Sequence, residues 1–474
     1  MSKRLSSLVA GLIVLGLALT ACQAPTPEVI ESTVEVPVEQ TVEVHVEETV
    51  EVPVEVTTPP EQPSGDITLW VMPNGPDPAA AVEAEIAAFN ELYPDVNVSY
   101  EIVGWGDAYG AIQTAVQGGE GPDVTQMGTT WVPTFGTMGG LHTFTNAEIE
   151  EVGGAEAFVD ASWETASIYE NVVSLPWFAD VRGILYRTDV FEEAGVDPAE
   201  AFSTIDNFIA ALEAIEESDQ DIAPFVHPGR NDWNVWQNAS QWGWAYGGEI
   251  LRQNEEGQWV AAFNEPEFVT GVTQFVQFYG MGLTPENTLE LNSSQAEGEF
   301  GQGRAASVMT GAYLIPNFRD LEGSGYTQEV ADNYHVAPFP EGPGGRYTFF
   351  GGSNLGILQS TDNYDAAWAL VKFLMTPESQ VRFTQAIGNV PATVKGQSDP
   401  AFTEDPKFSV LIEAAPTGKT SINIPDWGAV ENTFNSALQG LWEDVAAADG
   451  PIDEAIVQER LDTAAETVNA FLSQ

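Results

Sequence analysis

Ile67-Thr68-Leu69-Trp70-Val71, Pro73-Asn74-Gly75-Pro76 and Val96-Asn97-Val98-Ser99-Tyr100 frame the stretch whose reading decides the fold class. The first five residues read as a short apolar strand, and the run with two prolines and a glycine breaks it. Val82, Ile86 and Phe89 then recur at helical spacing, and Pro94 ends that helix. Val96 to Tyr100 alternates as a second strand. A strand–helix–strand unit of this kind predicts α/β architecture, a parallel sheet with helices on its faces. Similar alternation continues to a C-terminal amphipathic helix carrying Val457, Leu461, Ala464, Ala465, Val468 and Phe471 on one face.

Upstream of Asp66 the texture is different. Residues 33–56 repeat a block of eight, Thr33-Val-Glu-Val-Pro-Val-Glu-Gln40 and its two successors. Pro37 and Pro53 remove ladder donors and the glutamates repel one another, so residues 22–65 read as Cys22 followed by an extended stalk, not as strands. As a random coil the stalk would span roughly 35 Å. Further upstream, Lys3 and Arg4 precede an apolar run from Leu8 to Leu19, too short for an ordinary membrane span. Leu19-Thr20-Ala21-Cys22 closes it with small residues, so residues 1–21 read as an export signal. L-x-A-C resembles the lipobox of bacterial lipoproteins, which implies lipidation at Cys22 and anchoring to the outer face of the cell membrane, or on the periplasmic side.

Composition narrows the classes. The chain has 474 residues, 43% of them hydrophobic, with 13 Trp, 24 Phe and 12 Tyr, enough for a large core. Cys22 is the only cysteine, so no disulfide supports the fold. Against 15 Lys and Arg stand 71 Asp and Glu, a formal charge of −56. Such a body is repelled by nucleic acid and by anionic headgroups, and phosphate-rich ligands would lack the basic residues they need. The acidity reads as solubility at a cell surface.

Several blocks together resemble the extracellular solute-binding proteins of ABC importers, in the carbohydrate-binding group that includes maltose-binding proteins. Ile67 to Trp70 with Ala88-Phe-Asn-Glu-Leu-Tyr-Pro94 looks like its opening strand and helix. Gly119-Glu-Gly-Pro-Asp-Val124 looks like its turn into a buried strand. Leu175 to Asp189 looks like its first crossover between lobes. Phe300-Gly-Gln-Gly-Arg-Ala-Ala-Ser-Val-Met309 with Gly311, Gly351-Gly-Ser-Asn354 and Ala366-Ala-Trp368 follow in order, and Ile424-Pro-Asp-Trp-Gly428 resembles the closing segment. The resemblance implies a two-lobed periplasmic-binding-protein-like fold of class II type, hinged, with the ligand in the cleft. It places lobe 1 at residues 66–180 plus 311–355 and lobe 2 at 181–310 plus 356–474. Crossings are expected near Asp180–Val181, Thr310–Gly311 and Leu355–Gly356, with closure around a ligand as the motion. ABC permease subunits are the implied partner, and the protein is expected to be a monomer.

A sugar presents C–H patches and rings of hydroxyls, so its site needs aromatic faces with carboxylates and amides around them. Trp131 lies in the turn Gly128-Thr-Thr-Trp-Val-Pro133, and Trp177 and Asp180 sit at the first crossover. Asp232, Trp233, Trp236 and Gln237 follow Pro228-Gly229. Tyr313 follows the second crossover, where the resemblance places an aromatic on the sugar. Gly351 and Gly352 permit close backbone approach. Asp426 and Trp427 occupy the closing segment, and Asn74 and Asp107 are weaker candidates. Trp368 reads as core, on a helical apolar stripe with Val371, while Trp70 and Trp163 fit core or site equally; Trp236 fits inward packing equally well.

Catalytic and metal signatures are missing. His45, His142, His227 and His335 are scattered without H-E-x-x-H or metal-ligand spacing, and there is no G-x-S-x-G elbow. Gly301-Gln-Gly-Arg-Ala-Ala306 matches a permissive dinucleotide pattern but follows a polar stretch, not a strand. Neither a metal nor a cofactor is expected. The leading reading is a lipid-anchored binding protein delivering a neutral sugar or oligosaccharide to a permease. A cationic or peptide-like solute, favoured by the acidic candidates, a surface glycan-degrading enzyme and a wall-binding adhesin are the alternatives.

Overall fold

In a computed structural model of the protein, which describes residues 62–232 and 235–473, the opening unit forms as its residues dictate. Strand β1 (Gly65–Val71) buries Ile67, Leu69 and Val71 on one face. Asp77 begins helix α1 (Pro78–Leu92) by accepting the Ala80 N–H at 3.1 Å, and Pro78 fills a first-turn position whose N–H would go unused. Strand β2 (Val96–Ile102) lies parallel to β1, Gly65 opposite Val96. Helix α2 (Trp105–Gly118) ends at Gly119, whose φ of 66° is the left-handed cap glycine supplies. The fully buried strand β3 (Val124–Gly128) then pairs with β1, also in parallel.

Beyond β3 the sheet turns antiparallel. Its order runs from Tyr334–Ala337 through Leu175–Arg187, Thr348–Ile357, β3 and β1 to β2. The strand Leu175–Arg187 changes partners midway. Leu175 to Val181 pair with Thr348–Ile357, whereas Arg182 to Tyr186 pair with Ser307–Gly311, and Ile184 to Arg187 with Tyr334–Ala337. That exchange falls where the first crossing is expected.

The apolar clusters divide the later chain differently from the expected lobe boundaries. Leu314, Ile315, Phe318, Tyr334 and Val336 pack with Leu185, Phe300 and Val308, on the lobe 2 side. Ile357, Leu370, Phe383 and Ile387 pack with Ile67, Val82 and Phe89, on the lobe 1 side. The expected crossing at Thr310–Gly311 and the assignment of 311–355 to lobe 1 and all of 356–474 to lobe 2 are therefore corrected. The reason is register: Ser307–Gly311 ladders onto the distal half of Leu175–Arg187 and stays there, so the chain next crosses on Thr348–Ile357. The helices Tyr364–Leu374 and Pro377–Ile387 follow it into lobe 1.

Aromatic side chains fill the second core. Phe208, Phe275, Phe278, Trp242 and Trp442 pack together with the last two helices, Trp427–Ala447 and Glu454–Leu472. The C-terminal helix buries Val457, Leu461, Ala464, Ala465 and Val468, and Phe471 packs against the same cluster. Among the described residues no helix is long and apolar enough to cross a membrane. The expected signal, Cys22 and nearly all of the stalk lie outside the described residues.

Candidate ligand cleft

A cleft of about 390 Å³ opens where the two long strands pass between the apolar clusters. That volume lies in the range of small-molecule sites. One wall is aromatic. Trp131 packs edge-on against Trp105, centroids 5.6 Å apart, and against Tyr109 at 5.7 Å. The Trp105 indole N–H donates to the Pro73 carbonyl at 3.1 Å, which fixes that ring at the rim. Asn74 follows β1 and is held by Gln126, whose Oε1 accepts from Asn74 at 3.2 Å and from the Met72 N–H at 2.9 Å. Gln126 in turn donates to the Ser353 hydroxyl at 2.9 Å, so strand ends from both sides of the crossing share one network.

The opposite wall is polar and charged. Asp180 Oδ2 accepts from Arg182 Nε at 2.9 Å, and the guanidinium also donates to Gln237 Oε1 at 3.2 Å. Arg182 lies over the rings of Tyr313 and Phe349, 5.5 and 5.7 Å from their centroids. Burial alone would lower its pKa, but Asp180, Tyr313 and Glu297 together hold it above the ordinary value. Tyr313 and Thr310 both donate to Glu297 Oε1 at 2.7 Å. Burial raises the Glu297 carboxyl, and these bonds with Arg182 reverse only part of that. The Tyr313 hydroxyl is held well above its usual range, again chiefly by burial.

The floor is a pair of glycines. Gly352 has φ of +132°, and a Cβ there would sit 2.1 Å from the Phe178 carbonyl. The ladder slips one residue beyond it, between Ser353 and Asn354. An irregularity at a sheet crossing beside a cleft is where a bulge re-aims side chains.

Of the residues expected at the ligand, Asn74, Trp131, Asp180, Tyr313, Gly351 and Gly352 line this cleft. Three tryptophans do not. Trp177 is 1% exposed and stacks on Phe383 at 4.1 Å, because its strand points it into the lobe 1 core. Trp236 and Trp427 are fully buried and meet edge-on at 5.3 Å beneath Phe349. Asp232 is buried one layer back, accepting from the Ser293 hydroxyl at 2.5 Å. Asp107 and Asp426 are exposed and lie outside the lining. Trp233 lies outside the described residues. In the closing segment it is Gly428 that faces lobe 1, where a Cβ would come within 3.0 Å of Thr134 Oγ1, while Asn423 donates to the Glu164 carbonyl.

Sequence reasoning did not select Trp105, Arg182, Asn238 or Glu297. For Glu297 a signal existed: it shares the buried face of the helix Ser293–Gly301 with Ala296 and Phe300, an unusual place for a carboxylate. Among the described residues no group of three His, Cys, Asp or Glu side chains is arranged to hold a metal.

Residues 73–381 match the family model for bacterial extracellular solute-binding proteins, about two thirds of the chain. The chain belongs to that family. This solute-binding protein is 25% identical to the diacetylchitobiose-binding protein DasA of Streptomyces coelicolor, over 78% of its own length and 82% of the relative's. It is 23% identical to a maltotriose-binding protein of Pyrococcus abyssi, over 81% and 79% of the two chains. In fold it resembles maltose-bound MalE3 of T. maritima, with a TM-score of 0.73 and 22% identity across 86% of this chain and 99% of that one. A tagatose-bound solute-binding protein of Thermotoga lettingae superposes equally well, at 23% identity. The solute-binding protein thus has the two-lobed α/β fold of binding proteins. Its family is built to hold solutes outside the cytoplasm.

Proposed function

We propose that this protein is the capture component of an ABC importer for a sugar or short oligosaccharide. One observation carries the reading: an aromatic wall of Trp105 and Trp131 faces a wall of Asp180, Arg182, Gln237, Asn238 and Glu297 across a single cleft. Aromatic faces take the C–H side of a pyranose, and carboxylates and amides take its hydroxyls. The names of DasA and the maltotriose-binding protein support a carbohydrate ligand. The mechanism is binding in the open form, closure about the strands that cross between lobes, docking on the permease subunits and release. Only a ligand that contacts both walls favours the closed form and shifts the equilibrium. No bond is made or broken. The protein works as a monomer, tethered at the outer face of the membrane through lipidated Cys22, with the acidic stalk holding the body clear.

A thermal-shift screen of the full chain against mono- and oligosaccharides tests this. A ligand at about 1,000 times its Kd stabilises the folded form by about 4 kcal/mol. We expect a shift from one sugar class, reduced in Trp105→Ala. Shifts from polyamines or peptides with none from sugars would refute the carbohydrate assignment. Growth of cells in labelled palmitate tests the anchor, with loss of label expected in Cys22→Ala.

A further inference from the structure

Among the described residues the polar wall leaves several acceptors without a donor. Asp180 gives Oδ2 to Arg182, while its Oδ1 is buried and accepts nothing among the described residues. Asn238 is 2% exposed and lines the cleft, and its Oδ1 also meets no donor among the described residues. Glu297 is 8% exposed and lines the cleft too, with both of its hydroxyl donors converging on Oε1 and none reaching Oε2 among the described residues. Buried acceptors left this way are costly unless a ligand completes them.

Several donors nearby are already engaged. The Tyr313 proton goes to Glu297 and the Ser293 proton to Asp232. Arg182 donates through Nε to Asp180 and through Nη2 to Gln237. These groups form one cluster: Tyr313 lies under Arg182, and a Cβ on Gly311 would touch both Asp180 Oδ1 at 2.3 Å and the Tyr313 ring at 2.5 Å. Two carboxylates, Asp180 and Glu297, act on the single guanidinium of Arg182, and Asp232 one layer back adds its charge to Glu297.

A sugar hydroxyl donates one proton and carries no charge, whereas this wall sets two carboxylates, Asp180 and Glu297, against one guanidinium, Arg182. An ammonium brings three donors, no acceptor and a positive charge. We propose that the bound sugar carries a basic nitrogen, as an amino sugar free or within an oligosaccharide, whose ammonium docks against Asp180, Asn238 and Glu297 while the pyranose face lies on the Trp105 and Trp131 side. This rests on the carbohydrate reading and narrows it, replacing the neutral sugar of the leading sequence reading. Burial raises the Glu297 carboxyl, and an adjacent cation restores its ionised form, so the ligand and the site each lower the other's cost. Trp131 and Trp105 set the position of the ring; the acceptor cluster sets the chemistry of the substituent it presents.

Calorimetric titration of the full chain with matched sets decides the matter: glucosamine, N-acetylglucosamine and glucose, and the β-1,4 disaccharides of each, with putrescine as a cation that is not a sugar. The aminated member of a set should bind at least about tenfold more tightly than either uncharged twin. The advantage should shrink between 50 and 500 mM NaCl, as roughly expected for a partly screened charge pair. Glu297→Gln should remove the preference, with circular dichroism confirming the fold. Asn238→Asp should strengthen it without improving the binding of glucose-based twins, which keeps the test open if Glu297→Gln misfolds. Equal or tighter binding of an uncharged twin overturns the amine and leaves the carbohydrate reading intact. Binding of putrescine with no response from any sugar overturns the carbohydrate reading and the amino sugar with it. Absence of any response from the aminated sugars overturns the inference outright.

Discussion

Removing the charge of Glu431 should make the protein more stable at neutral pH. Glu431 sits one turn from Trp427 in the helix Trp427–Ala447, where the Trp236 indole N–H donates to its Oε1 at 2.8 Å. Trp236 meets Phe349 edge-on at 5.4 Å, and Phe349 lines the cleft, so this carboxyl supports the cleft wall from behind. Burial pushes its pKa from an ordinary 4.5 up to about 7, and the indole bond offsets only part of that. A carboxyl whose folded pKa exceeds its unfolded value holds more protons when folded. Its destabilising effect is absent below pH 4.5, grows as pH rises from 4.5 to about 7, and is complete above that. The gap sets a ceiling of about 3 kcal/mol, and partial solvent exposure of the residue brings the expectation to about 1–2 kcal/mol.

Glu431→Gln keeps an acceptor for Trp236 and removes the ionisation. Urea and thermal unfolding of the full chain at pH 4.5 and pH 8 read the effect. The variant should match its parent at pH 4.5 and exceed it by about 1–2 kcal/mol at pH 8, a rise of a few °C. Glu85 and Glu297, whose pKa values are also raised by burial, and His227, lowered by burial to about 4, contribute to the slope of both proteins. They cancel in the difference. The reasoning is refuted if the two proteins differ equally at both pH values, or if the variant is the weaker at pH 8.

Two further outcomes follow from the cleft. Gly352→Ala places a Cβ against the Phe178 carbonyl at a left-handed φ, and should lower stability by about 1–3 kcal/mol in denaturant unfolding; an unchanged midpoint would mean the strand crossing relaxes freely. Trp105→Ala removes a half-buried ring at the rim while leaving Trp131 in its cluster with Phe135, so affinity for the cognate sugar should fall about tenfold or more with little change in Tm. A large fall in Tm with unchanged affinity would make that ring structural.

How much of this was legible in the chain differs between fold and site. The β1–α1–β2 unit was readable because each element carries its own local signals: the apolar run Ile67 to Val71, the breaker run Pro73 to Pro76, helical spacing at Val82, Ile86 and Phe89, a stop at Pro94. The C-terminal helix was readable from the 3.6-residue period of Val457 to Val468. The later lobe boundary was not, because whether Ser307–Gly311 crosses depends on which half of Leu175–Arg187 it ladders with, and register is a pairing between distant segments.

The site divides along the same line. Sequence alone determined which side-chain chemistries were available; it marked Asn74 and Trp131 beside a strand end and in a turn and Gly351 and Gly352 as glycines open to close approach, while the family resemblance marked Asp180 and Tyr313, and all six line the cleft. It did not separate Trp131 from Trp177, Trp236 and Trp427, since every tryptophan is equally able to stack on a sugar or to fill a core. Only the tertiary structure decided that, through the direction each backbone gives its ring: Trp177 onto Phe383, Trp236 onto Trp427. It also decided that Glu297, on the buried face of a short helix, shares its hydrogen bonds with Tyr313 and Thr310 beside Arg182. Local propensity sets an element's type and ends; the balance of donors, acceptors and charge in a cleft is set by segments far apart in sequence, and it exists only once they are packed together.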